Sequence, residues 1–311
     1  MMRDILNVIK TKGVISPTDM TANNTLSVDK SRKVINTIVD SSDFLKKINV
    51  YQTKKLQTSI DTWNLAKGIL VRVAPGNSPT DEQRQKLGVG SVTLDNKPVQ
   101  LFAKITQDTL EDNADNPKFE SETFESFARA FATDLQNLGM IGEKDDYSSN
   151  EFKNLNKGWF TLAKEVSGVK KIEHKKASKM VDKLAALVKA HNEEVLKDSV
   201  ILISQADYLA FQTEVGSKNG GLGVLLNANA KSILDVPLEV AAFVPKGKFL
   251  MTPLKNLVMS LGLAVRRVRW YDNEESSLKY KFEVYNDYQI AVPEWVTLSE
   301  ENESDTDGDG I

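Results

Sequence analysis

The sequence contains no cysteine. That excludes disulfides, thiolate catalysis and every cysteine-ligated metal site, and it fits a reducing compartment. Any covalent reinforcement would have to use other chemistry. Histidine is nearly as scarce, with two among 311 residues. These two, His174 and His191, are too far apart in sequence to form a metal pair on adjacent helical turns. No apolar run approaches the roughly 18 residues that a membrane-spanning helix needs. The opening "MMRDILNVIK" carries charges inside its apolar stretch, unlike a secretory signal. Charge of one sign is missing too. The 40 Lys and Arg against 43 Asp and Glu leave a formal net charge of -3, which gives no overall pull toward nucleic acid or anionic membrane.

Reactive motifs are equally thin. "NGGLGVLL" at 219–226 is glycine-rich but lacks the spacings that cradle a phosphate, so it reads as a loop. No nucleophile elbow accompanies the serines. "DTDGDG" at 305–310 begins like a calcium loop, with alternating carboxylates and a turn glycine. The distal glutamate that would complete such a loop does not follow, and the stretch reads as a solvated acidic tail. "RRVRW" mixes Arg266, Arg267 and Arg269 with Trp270. Nucleic-acid binding is one reading of it. The simpler reading is a strand with Val265 and Arg267 on one face and Arg266 and Val268 on the other, its charges paired on a neighbouring element or subunit.

What is present is structural. Hydrophobic residues make up 41% and charged residues 27%, enough for a sizeable soluble core. Residues 1–62 read as an arm, with Val34, Ile35, Ile38 and Val39 on one helical face and lysines at 30, 33, 46, 47, 54 and 55. Next come two alternating segments, "GILVRVAPG" and "KPVQLFAKI", which read as a hairpin around a long polar connection. Asn116 and Pro117 suit the start of a helix. Phe124, Phe127, Phe131, Leu135 and Leu138 continue it as an apolar stripe roughly 35 Å long, ending in glycines at 139–142. From about residue 159 an α/β pattern follows. Met180, Val181, Leu184, Leu187 and Val188 share a helical face. "SVILIS" reads as a strand buried on both faces, Ser204 and Asp207 as a capping box, and "KYKFEV" as a further strand. An α+β protein with extended arms, a rod helix and no catalytic constellation suits a subunit that completes its core on copies of itself.

In this order the parts resemble the major capsid proteins of tailed bacteriophages, the Hong Kong 97-like fold, over nearly the whole chain. "DSSDFLKKINVYQTKKLQTSIDTWNLAKGILVRVAP" is similar to that family's N-terminal arm entering its extended E-loop. "LFAKITQDTLEDNA" resembles the family's "T…LED" entry to the spine helix, "FESFARAFATDLQNLGMIGE" resembles the spine helix itself, and "NLNKGWF" the segment after it. The resemblance implies an arm at 1–62, an E-loop at 63–105, a peripheral domain at 106–158 and 266–298, an axial domain at 159–265 and a disordered acidic tail at 299–311. It implies a non-enzymatic shell subunit without cofactor or metal, forming hexamers and pentamers of an icosahedral virion capsid around non-specifically bound packaged DNA. Assembly would take place in the host cytoplasm without a membrane, with a portal and a separate scaffolding protein, since the arm is too short for a built-in scaffold. Intersubunit contacts are expected at Ile69, Val71, Val73, Lys86, Lys97, Arg266 and Arg267. The family's first-described member carries lysine–asparagine cross-links; Lys86 and Lys97 lie in the E-loop segment here, but no partner asparagine or glutamate is matched to them, and no cross-link is assigned. Two other readings are an encapsulin-like compartment holding cargo enzymes and a metal-dependent enzyme using clustered aspartates.

Overall fold

The computed structural model describes residues 25–64, 72–73, 76–78, 80, 88–146, 148–149, 151–217 and 231–302. Among the described residues the first helix of the arm is α1 (Val28–Asp40), whose Val34, Ile35 and Ile38 are buried as their spacing predicts. Ser42 Oγ accepts the Leu45 N–H and caps the short α2 (Asp43–Lys47). Then come β1 (Asn49–Thr53), β2 (Gln57–Asn64), β3 (Gly88–Asp95) and β4 (Lys97–Thr106). Next are α3 (Gln107–Asp112), the long α4 (Phe119–Ile141) and α5 (Trp159–Glu165). The α/β part runs β5 (Lys170–His174), α6 (Met180–Ala190), β6 (Val200–Ile203), α7 (Gln205–Gly216), β7 (Ser232–Ile233), β8 (Val236–Val240) and β9 (Phe249–Thr252). It is followed by β10 (Leu257–Gly262), β11 (Arg266–Asp272), β12 (Ser277–Ile290) and β13 (Thr297–Glu301).

Two larger sheets organise the chain. One has the order β1-β10-β12-β11, with β4 on the other edge of β12; the second has the order β5-β13-β9-β6-β8-β7. β2 and β3 form a separate hairpin from Gln57↔Asp95 to Asn64↔Gly88. The rod helix α4 lies on the first sheet, where Phe127 meets Tyr280 at 5.4 Å and Phe282 at 5.5 Å between ring centroids. A second core forms between the other sheet and helices α6 and α7, around Leu184, Leu187, Ile201, Phe211 and Met251.

Four local expectations change. The segment "KPVQLFAKI" is a strand, but its antiparallel partner is β12, from Lys97↔Asn286 to Thr106↔Ser277. Alternation identifies the two faces of a strand and does not choose its neighbour. The hairpin instead uses β2 and β3; of "GILVRVAPG", only Arg72, Val73 and Gly76 are among the described residues. The rod helix starts at Phe119 rather than at Pro117, because Asn116 Oδ1 accepts the Lys118 N–H in a turn of its own. Phe127 is half-buried, whereas Phe124 and Phe131 are buried. The tail expected from residue 299 does not begin there. Ser299–Glu301 belong to β13, held between β5 and β9, and residues 303–311 lie outside the described residues.

The end of α4 is fastened by backbone contact. Gly158 N–H donates to the Gly142 carbonyl at 2.9 Å, and Thr161 Oγ1 donates to the same oxygen at 2.6 Å. A Cβ on Gly158 would lie 2.6 Å from the Gly139 carbonyl oxygen, and one on Gly142 would lie 2.3 Å from that of Asn156. Trp159 fills the corner with its ring 5.1 Å from Tyr288, and its Nε1–H donates to the Val258 carbonyl. Gly158→Ala should therefore lower stability by about 1–3 kcal/mol through forced backbone shifts. Phe131→Ala should cost about 3–5 kcal/mol and the half-buried Phe127→Ala distinctly less. Urea denaturation of the three variants checks this; equal losses for Phe127 and Phe131 would contradict the packing described.

Candidate assembly surfaces

The residues singled out for intersubunit contact fall in different settings. Ile69, Val71 and Lys86 lie outside the described residues, and Val73 is half-buried in an irregular segment. Lys97, at the start of β4, pairs with Asp145 and stands 3.8 Å from Asp95. Arg266 pairs with the buried Glu283 at 3.1 Å. Arg267 is buried on the helix-facing side, its guanidinium 6.0 Å from the Tyr280 ring centroid and 5.8 Å from that of Phe282. The arginine pair thus divides between the two faces of β11, as the alternation predicts. Arg266 takes its partner from the adjacent strand of the same chain.

The sheet face turned away from α4 is built in rows. Gln100, Glu283 and Arg266 form one; Phe102, Lys281 and Val268 the next; Lys104, Lys279 and Trp270 the third. Phe102 is 66% exposed and Trp270 42%, with Lys281 Nζ 5.7 Å from the Phe102 ring centroid. The lysines are internally balanced: Lys279 pairs with Asp272 at 2.7 Å and Glu275 at 2.9 Å, and Lys281 with Glu283 at 3.4 Å. Burial raises the Asp287 carboxyl above the usual range, although it accepts N–H bonds from Asp95 and Tyr288. The bond from Asp95 fixes the base of the β2–β3 hairpin to β12, with Leu94 fully buried beside it.

Both histidines are placed by β13. His191 Nδ1 lies 2.9 Å from Thr297 Oγ1 and its Nε2 lies 2.8 Å from Ser199 Oγ. His174 Nδ1 lies 2.8 Å from Ser299 Oγ. Farther along the strand Glu301 faces the buried Lys183 at 3.5 Å. The serines beside the imidazoles are fully buried, so this arrangement presents no nucleophile to a substrate. Among the described residues no group of three His, Asp or Glu is placed to hold a metal ion, and no helix is long and apolar enough to cross a membrane.

Two surface features escaped the sequence reading. One is an open, mostly apolar cavity of about 130 Å³ between β4, α4 and the turn after it, lined by Val99, Leu101, Phe131, Leu135, Phe152 and Leu155, with Asp134 as its carboxylate. The other is Phe243, 40% exposed with φ +70. The apolar residues of the first have an ordinary core spacing, and a left-handed phenylalanine has no sequence signal.

No protein-family model matches the chain, and no curated protein matches it in sequence. Solved structures match in fold. The chain is similar to one in the satellite phage P4 procapsid including size determination (Sid) protein, at 15% identity and a TM-score of 0.68, over 87% of this chain and 98% of that one. It is similar to one in the capsid of the native GTA particle, at 13% identity and a TM-score of 0.58, over 93% and 95%. A third likeness is to the virus-like particle from Pyrococcus furiosus, at 11% identity and a TM-score of 0.54, over 88% and 98%. At these identities the likeness is one of fold.

Burial, with a smaller contribution from Lys170, pushes the His191 imidazole down from 6.5 to about 4. Burial and Lys183 lower His174 too. The folded state keeps both rings neutral, while the unfolded chain takes up protons below about pH 6.5. The stabilising effect of the neutral His191 is therefore complete above that pH and is lost as pH falls toward 4, and His174 acts in the same direction. His191 alone should remove about 2 kcal/mol of stability between pH 7.5 and pH 5. Denaturant melts at the two pH values test this, with His191→Asn expected to show the shallower pH dependence.

Proposed function

We propose, from the fold shared with phage capsid proteins, that this chain is a structural capsid subunit that self-assembles into the icosahedral shell of a virion. The β2–β3 hairpin carries the reading. Its strands pair with each other over eight positions from Gln57↔Asp95 to Asn64↔Gly88, and among the described residues no third strand joins them. A two-stranded ribbon is marginal in water by itself. This one is bonded to its own subunit at the base, through Asp95 and Asp287. A neighbouring copy lying under the ribbon would complete its packing, which is the part an E-loop plays in the Hong Kong 97-like arrangement. Ile69, Val71, Val73 and Lys86 fall in the connection between its strands and are assigned to the same contact.

In this reading α4 is the spine of a peripheral domain, the first sheet its floor, and the β5–β9 region with β13 the axial domain. Hexamers and pentamers form the shell, DNA fills it without sequence-specific recognition, and a separate scaffold and a portal guide assembly in the host cytoplasm. The subunit has no catalytic role and uses no cofactor. The encapsulin-like alternative predicts particles filled with protein cargo instead of nucleic acid. The likeness to the P4 procapsid at a TM-score of 0.68, against 0.54 for the Pyrococcus particle, favours the viral reading.

Electron microscopy of the purified protein at assembly concentrations should show closed shells. Particles recovered from infected or induced cells should contain DNA. Replacing residues 65–87 with a two-residue Asn-Gly turn closes the hairpin where Asn64 pairs with Gly88. The variant should keep the parental circular dichroism and thermal midpoint and lose most of its particle yield. Normal shells from it would remove the hairpin connection from assembly, and a misfolded monomer would place that segment in the subunit core.

A further inference from the structure

The exposed Phe243 is held in a costly backbone conformation. It follows β8 in "AAFVPKGK", with φ +70. The left-handed region is rare for a bulky residue and strains its backbone. Local packing would normally repay that cost by burying the ring, yet Phe243 is 40% exposed. Its position is fixed all the same. Gln136 Nε2 donates to the Ala242 carbonyl at 3.4 Å, the Ser42 hydroxyl donates to Gln136 Oε1 at 3.0 Å, and Val244 is buried just beyond. Lys246, exposed three residues on, has no ion pair or hydrogen bond among the described residues.

The cavity between β4 and α4 has the complementary character. Its walls are apolar, it is open to solvent, and its volume of 130 Å³ is close to that which accepts benzene in an engineered protein cavity. The carboxyl of Asp134 faces it without an ion pair or hydrogen bond among the described residues, and partial burial raises its pKa. A phenyl ring beside a lysine thus matches an apolar socket beside a carboxylate. The two sites cannot meet within one chain. Gln136, against which the Phe243 turn is tied, and the Asp134–Leu135–Leu138 side of α4 point about 150° apart round the helix. A knob and a socket on opposite flanks of one rod make a head-to-tail contact, and repetition of such a contact by rotation closes a ring.

We propose that Phe243 and Lys246 of one copy dock into the Val99–Phe131–Leu155 cavity and onto Asp134 of the next, forming the lateral contact between adjacent subunits of a ring. The inference rests on the shell reading and names a contact separate from the hairpin. Removal of the strained ring gives the first test. Phe243→Gly relieves the backbone, so the monomer should melt at or above the parental temperature while assembled material, measured by sedimentation velocity, falls roughly tenfold or more. Charge reversal gives the second. Asp134→Lys and Lys246→Glu should each impair assembly, and the double variant should recover it, because every copy then carries the reversed pair. Parental assembly by Phe243→Gly, or a double variant no better than the two single ones, would overturn the contact. If the wild-type chain forms shells but these variants behave normally, only this inference fails. If the wild-type chain remains monomeric at all concentrations, the shell reading fails with it.

Discussion

Gly158 sits so close to the end of the rod helix that no side chain fits between them. Its N–H reaches the Gly142 carbonyl, and its Cα faces the backbone of Leu138 and Gly139. The rest of the first core is organised from this contact. Trp159, the next residue, is thereby driven between α4 and the sheet, where it meets Phe44 and Tyr288 and bonds to Val258. Tyr288 in turn donates to the Leu135 carbonyl of α4. One close approach thus fixes the arm, the rod, β10 and β12 relative to one another. Larger residues at 139, 142 or 158 would separate them together, since each added Cβ meets atoms of an element that the others also touch.

The reading of single elements from sequence succeeded where burial had a period. The α1 face, the rod and the α6 face are legible because apolar residues recur at helical spacing, and "SVILIS" because a short continuous apolar run marks a strand buried on both faces. Partners were harder to see. β4 alternates well, but nothing in residues 97–106 indicates that β12, far along the chain, will lie beside it. The end of the first sheet's companion was missed for another reason. Ser299 and Glu301 look like the beginning of an acidic tail, and they become a strand because His174 and Lys183 supply buried partners for their polar groups. Of the candidate contacts, Arg266 and Arg267 could be placed on opposite faces by alternation alone. Phe243 and the cavity beside Asp134 could not be found that way, because a backbone angle and a gap between three elements are properties of the assembled fold.

The polar interior of the second sheet and the exposed aromatics of the first serve different ends. His191, Thr297 and Ser199 satisfy one another away from water, so they hold β13 in register and leave nothing for chemistry. Phe102 and Trp270 have no such cover on the outer face of the first sheet. Their lysine neighbours are already neutralised within the chain, which keeps that face free of strong charge and leaves shape and apolar area to determine what fits it.

The parallel pairing of β1 with β10 has a consequence for synthesis. Residues 49–53 have their sheet partner at 258–262, and the base of the hairpin waits for Asp287. During translation the N-terminal half of the chain therefore emerges without the strands that complete its floor. Pairings of such long sequence separation are slow to form, because loop closure precedes any gain from contact. A nascent or truncated chain would then lack the anchored ribbon and the completed floor it is fixed to. The ribbon would gain its anchor only once Asp287 has emerged, a form of timing written into strand order that needs no regulator.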